Sequence, residues 1–153
     1  MNDTTHLTEM TPVWLDLLHS SGYRLTGPRR AIVELMVSTP RALGPIDVYD
    51  LGRKEYPGLG LVTVYRTLEK LEELGLVQRV HQPGGCNMYL RTCKGHQHIL
   101  LCNSCGKAEY FGGDDLTGLI QTIANRSGFE IKEHWLQFYG LCATCLEKQA
   151  GQG

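Results

Sequence analysis

The chain reads as an α+β protein in two halves: helices that finish in a strand hairpin, then a small α/β unit closed by four cysteines. Apolar residues recur at helical spacing up to about residue 75. Short β-type runs flank Pro83-Gly84-Gly85, and two Cys-x-x-Cys pairs stand at Cys102/Cys105 and Cys142/Cys145. Four thiolates at that spacing are the donor set of a tetrahedral zinc site. A lone pair would read equally as a redox motif or a disulfide, but two pairs, one followed by Gly106, favour structural metal.

The elements follow in order. Pro12 to His19 carries Val13, Trp14, Leu17 and Leu18 on one helical face, and Ser20-Ser21-Gly22 ends it. Pro28 suits the first turn of a second helix, with Ala31, Ile32, Leu35 and Met36 inward and Thr39-Pro40 as its stop. Pro45 opens a third, carrying Ile46, Val48, Tyr49 and Leu51. Pro57 to Gly60 is a turn. From Val62 to Leu74, Val64, Leu68 and Leu71 form an apolar stripe while Tyr65, Arg66, Glu69, Lys70 and Glu73 lie off it, and Gly75 is the stop. Leu76 to His81 and Asn87 to Arg91 then read as a hairpin. Three helices, an amphipathic fourth and a hairpin are the order of a winged helix-turn-helix, with the fourth helix for recognition and the hairpin as the wing.

The second half changes character. Ile99 to Leu101 and Glu109 to Phe111 read as strands. Asp114 or Asp115 is placed to cap a helix whose apolar positions are Leu116, Leu119, Ile120 and Ile123. Phe129 to Leu141 reads as one long strand running into the second cysteine pair. Such a unit is small for a core of its own, so zinc and a symmetric partner are expected to complete it. The halves divide as 1–84 (DNA-binding domain), 85–95 (hinge) and 96–153 (metal-binding dimerisation domain).

Bulk properties narrow the function. The net charge is −1, and residues 1–84 hold nine Lys/Arg against ten Asp/Glu, so any DNA contact must come from a local patch. No apolar run approaches the length of a membrane helix, and the first eleven residues lack a signal-peptide core. Reduced thiols in the cytoplasm are therefore expected, without a membrane or small-molecule partner. No phosphate loop or oriented nucleophile stands out, which argues against an enzyme; a zinc-ribbon protein–protein adaptor is the rival with the same cysteines.

Several stretches coincide with one family. Tyr23-Arg24-Leu25-Thr26 with Pro28-Arg29, then Thr63-Val64-Tyr65-Arg66-Thr67-Leu68, resemble the opening and the recognition-helix signature of the ferric uptake regulator family. His96-Gln97-His98, Cys102-x-x-Cys105-Gly106 and Tyr139-Gly140-x-Cys142-x-x-Cys145 are similar to its metal-binding half. The resemblance implies a homodimeric, metal-responsive repressor acting on a palindromic operator in double-stranded DNA. It implies DNA contacts at Arg24, Arg29, Thr63, Tyr65 and Arg66, with Arg30 adding charge. It also implies a second, regulatory divalent metal beside the structural zinc.

The regulatory ligands expected are Cys93, His96, His98 and His134, with His81 and Glu109 as weaker candidates and Cys86 near the hinge. The histidines lie four and six residues before Cys102, whereas the family places one three before it, and no histidine falls between Arg41 and Pro45. Two arrangements stay open. In one, Cys93, His96 and His98 form a hinge sensor with His81; in the other, His96, His98 and His134 form the site and Cys93 is a bystander. A cysteine just before the histidines resembles the zinc uptake regulators, so zinc is the expected signal; an iron or peroxide sensor of the same family is the alternative.

Overall fold

The computed structural model describes residues 3–82, 84–93, 95, 97–112 and 116–152, without the side chains of 3–8. Helices α1 (Asp3–Ser20), α2 (Gly27–Ser38), α3 (Pro45–Glu55) and α4 (Leu61–Glu73) are followed by strands β1 (Val77–His81) and β2 (Asn87–Arg91). Then come β3 (His98–Cys102), β4 (Ala108–Phe111), α5 (Thr117–Ser127), β5 (Gln137–Gly140) and α6 (Ala143–Ala150). β1 and β2 form an antiparallel hairpin; β3 is central in a second sheet, antiparallel to β4 and parallel to β5.

The first core joins Trp14, Leu15 and Leu18 of α1 to Ile32, Val33, Met36 and Val37 of α2, Val48 of α3, and Val64, Leu68 and Leu71 of α4. The stripe on α4 is therefore the one its spacing requires, with Thr67 also buried and its hydroxyl donating to the Thr63 carbonyl at 2.7 Å. α4 ends as expected at Gly75, whose φ of 71° lets its N–H reach the Glu72 carbonyl while Leu76 reaches Leu71, both at 2.9 Å.

Four expectations need correction. α1 begins at Asp3 rather than Pro12; Pro12 costs it a main-chain bond without ending it, and Met10 packs on the core from that extra length. Its inward face is Trp14, Leu15 and Leu18, leaving Val13 and Leu17 exposed; Ile46 is likewise exposed on α3. The strand expected over 129–141 is confined to Gln137–Gly140, because β3 offers partners only from Ile99 to Cys102. The chain beyond Cys142 folds into α6, made of good helix formers after a half-buried cysteine cap. The caps proposed at Asp114 and Asp115 lie outside the described residues.

The two halves are not separate. A second core unites Val80, Met88 and Leu90 of the hairpin, and Ala42 of the α2–α3 connection, with Ile99 and Leu101 of β3 and the flanking Ala108 and Tyr110 of β4. Side chains alternate along β3, so Ile99 and Leu101 face the hairpin while His98, Leu100 and Cys102 face away. The α2–α3 connection is laid between the halves: Leu43 pairs with Tyr89 of β2 and Arg41 with Lys107 beyond the first cysteine pair.

Candidate metal centre and nucleic-acid interface

The first cysteine pair sits where β3 turns back into β4. Cys102 ends β3, the Gly106 N–H returns to the Cys102 carbonyl at 3.0 Å, and Gly106 takes a φ of 74° to close the turn. The second pair lies at the start of α6: Cys142 caps the helix and Cys145 follows in its first turn, so both thiols sit at its N-terminal end. The parallel pairing of β5 with β3 delivers one pair to the other, with Asn103 N–H bonded to the Gly140 carbonyl at 2.8 Å.

The four sulfurs lie within 4.8 Å of one another, and Cys105 Sγ is 3.7 Å from Cys142 Sγ. Sulfurs about 2.3 Å from a tetrahedral zinc are themselves roughly 3.8 Å apart, so the donor set fits that ion. The environment favours thiolate at Cys102: burial pushes its thiol up, but the N–H groups of Cys142, Cys105 and Ser104 outweigh this and bring it down to about 6. The Cys142 N–H donates to Cys102 Sγ at 3.3 Å. At Cys145 the Ser104 hydroxyl lowers the thiol, but Cys142, burial and the other two cysteines push it up to about 11. Deprotonated together the four would repel one another, a cost that a divalent cation removes. Among the described residues this is the one group of three or more ligating side chains close enough to share an ion.

The regulatory candidates are brought together in part. His98 is buried, with the rings of Phe111 and His134 each centred 5.5 Å from its own. Cys93 is exposed and lines a cavity of about 650 Å³ together with His134, Gln78, Gln97, Tyr110 and Trp135. His96 lies outside the described residues. The His81 side chain is exposed, and its carbonyl accepts from the Tyr139 hydroxyl at 2.6 Å. Glu109 is ion-paired to Lys107 at 2.9 Å on the surface, an interaction that raises the lysine's affinity for its proton. Cys86 is exposed near the tip of the hairpin.

In the first half, Val62, Tyr65 and Arg66 are exposed on the first two turns of α4, with Tyr65 43% exposed. Thr63 is half-buried beside them. Arg24 is exposed at the mouth of a cavity of about 560 Å³ that it lines with His19, Tyr23 and Arg30. Arg29 turns back instead: its guanidinium lies 4.0 Å over the Tyr23 ring and donates to the Arg24 carbonyl at 2.5 Å. It braces the segment that presents Arg24.

This architecture is shared with known proteins. The profile of the Ferric uptake regulator family matches residues 20–139. The ferric uptake regulation protein of Bacillus subtilis (strain 168) is 37% identical over 136 residues, covering 86% of this chain and 91% of that protein.

The chain belongs to the ferric uptake regulator family.

Another member, the zinc uptake regulation protein of Mycobacterium tuberculosis (strain CDC 1551 / Oshkosh), is 30% identical over 128 residues, 84% of this chain and 98% of that one. Among solved structures, a zinc uptake regulator complexed with zinc and DNA superposes with a TM-score of 0.65 at 26% identity, covering 94% of this chain and 97% of its own. Membership in the ferric uptake regulator family makes the protein a metal-responsive DNA-binding transcription regulator and not an enzyme. Similarity extends to relatives named for iron and for zinc. No helix among the described residues is long and apolar enough to cross a membrane. The hydroxyl contacts of Tyr110 and Tyr139 across the two halves escaped sequence reading, because tyrosines in strands carry no spacing that marks them as bridges.

Proposed function

We propose that the protein is a zinc-dependent repressor of metal-uptake genes that binds a palindromic operator as a homodimer in the cytoplasm. Cys102, Cys105, Cys142 and Cys145 would hold the structural zinc; the cluster of their four sulfurs within 4.8 Å is the observation that carries this reading. Zinc there supplies cross-linking, tying β3, α6 and the β3–β4 turn into one unit and adding folding free energy. Residues 1–84 act as the winged-helix domain, 85–95 as the hinge and 96–153 as the dimerisation domain.

The second metal is assigned to His98 and His134, with His96 and Cys93. The 5.5 Å separation of the His98 and His134 rings supports the arrangement in which those two histidines work together, and the cavity shared by Cys93 and His134 keeps the thiol within the same region. Imidazole with thiolate suits zinc. Exposed Leu100 and Phe138 on the outer sheet face, with Leu119 58% exposed on α5, support a partner of the same chain covering that face.

DNA reading is assigned to the exposed end of α4, where Tyr65 can pack on thymine methyls and Arg66 can bond a phosphate or a guanine edge, with Thr63 and Arg24 supporting. The regulatory ligand changes DNA affinity only through its different affinity for the DNA-competent and incompetent arrangements. An iron-sensing role is the second reading, favoured by the 37% identity to a ferric uptake regulation protein. A DNA-binding titration on an AT-rich palindrome with zinc, iron(II), manganese and nickel tests both. Zinc should support binding at the lowest free concentration; iron(II) doing so instead would select the second reading, and no metal dependence would refute both.

A further inference from the structure

Tyr110 stands on β4 yet makes its hydroxyl contacts in the other half of the molecule. Its O–H donates to the Arg91 carbonyl at the end of β2, and it accepts from Gln78 Nε2 of β1 at 2.7 Å. Both strands of the hairpin are thus gripped by one oxygen. The Arg91 side chain carries the connection on, donating to the Val37 carbonyl at the end of α2 at 2.6 Å. On its other side, Tyr110 lines the cavity that also holds Cys93 and His134.

We propose that the Tyr110 hydroxyl is the latch that fixes the hairpin on the second sheet, making Tyr110 a positioning residue that links occupation of the cavity to the placement of the DNA-reading helices. The linkage to DNA rests on the function proposed above. Apolar packing between the halves resists separation but defines angle weakly; directional bonds set that angle, at the α2–α3 connection through Ala42 and Ala108, at His81 through Tyr139 and Gln137, and at the hairpin through the Tyr110 hydroxyl, which is the one beside the cavity that holds Cys93 and His134. A ligand entering the cavity displaces or orders the Tyr110 ring, and the ring carries the oxygen that holds Arg91.

The test uses full-length protein and Tyr110→Phe, which keeps the ring and deletes the latch. Hydrogen exchange over residues 76–92 should quicken about fivefold, the effect of roughly one hydrogen bond, while tightly bound zinc stays at the wild-type level. The ratio of metal-loaded to metal-free DNA affinity should fall by about the same factor. Gln78→Met, which leaves the bond to Arg91, should move both readouts the same way by less. Unchanged exchange in Tyr110→Phe, or faster exchange with an unaltered affinity ratio, overturns the proposal. If wild-type protein shows no metal-dependent DNA binding, the function proposed above fails, and the exchange measurement alone still decides the latch.

Discussion

Arginines that look alike in the sequence do different work. Arg66 is exposed on α4, whereas Arg29 is folded onto Tyr23 and the Arg24 carbonyl. Arg66→Ala should weaken operator binding by on the order of tenfold and reduce the slope of log affinity against log salt by about 0.9, the loss of one phosphate neutralised. An unchanged slope would remove Arg66 from the backbone contacts. Tyr110 gives a second prediction. Burial pushes its hydroxyl from 10.0 up to about 12, with the Gln78 amide opposing, Cys93 adding to the rise and Arg91 lowering it. The folded state thus holds this proton more tightly than the unfolded chain. Its contribution to stability is complete below about pH 10 and disappears as pH climbs through about 12. Chemical denaturation from pH 9 to 12 should show the decline in wild type and a shallower one in Tyr110→Phe. The cysteines were legible because metal ligation imposes a spacing; Tyr110 was not, because its partners are 19 and 32 residues away in sequence.

Elements were read well wherever local chemistry decides them. The α4 stripe, its glycine stop and the two antiparallel strands of the hairpin all follow from short-range pattern. Misreadings came where a neighbour decides. β5 is as long as β3 allows, and α1 runs past Pro12 because Met10 has a core to meet. The β3–β4 turn is the element on which both halves lean: the Ala42 N–H bonds to the Gly106 carbonyl at 2.9 Å, and the Ala108 N–H reaches the Pro40 carbonyl at 3.4 Å. A Cβ at Gly106 would stand 3.0 Å from the Ala42 carbonyl oxygen, on a backbone whose φ of 74° already disfavours a side chain. Gly106→Ala should therefore cost roughly 1–3 kcal/mol in the zinc-loaded protein, seen as a lower Tm, and should loosen amide exchange around Ala42 as well as at the turn. Loosening confined to the turn would show that the two are not coupled.

Across the whole molecule, the first half has a core of its own, while among the described residues the second half's buried cluster is the one it shares with the hairpin. α5 has no buried residue, and Phe138 and Trp135 are 48% and 81% exposed. The deficit was visible from the small strand–helix–strand unit, and the four cysteines are the compensation the sequence offered. The shared core between hairpin and second sheet was not visible, since its residues read as ordinary strand positions until the halves are docked. On the function proposed above, a tight thiolate site maintains the fold, and a weaker histidine-containing site beside the junction sets how the DNA-reading half is held. The most direct test counts zinc per chain and measures operator affinity on the same sample after mild chelation, then again as zinc is returned. One zinc per chain should survive with DNA affinity lost, and a second equivalent should restore binding. A folded protein stripped of all zinc by that treatment, or one whose DNA affinity ignores the second equivalent, would contradict the account.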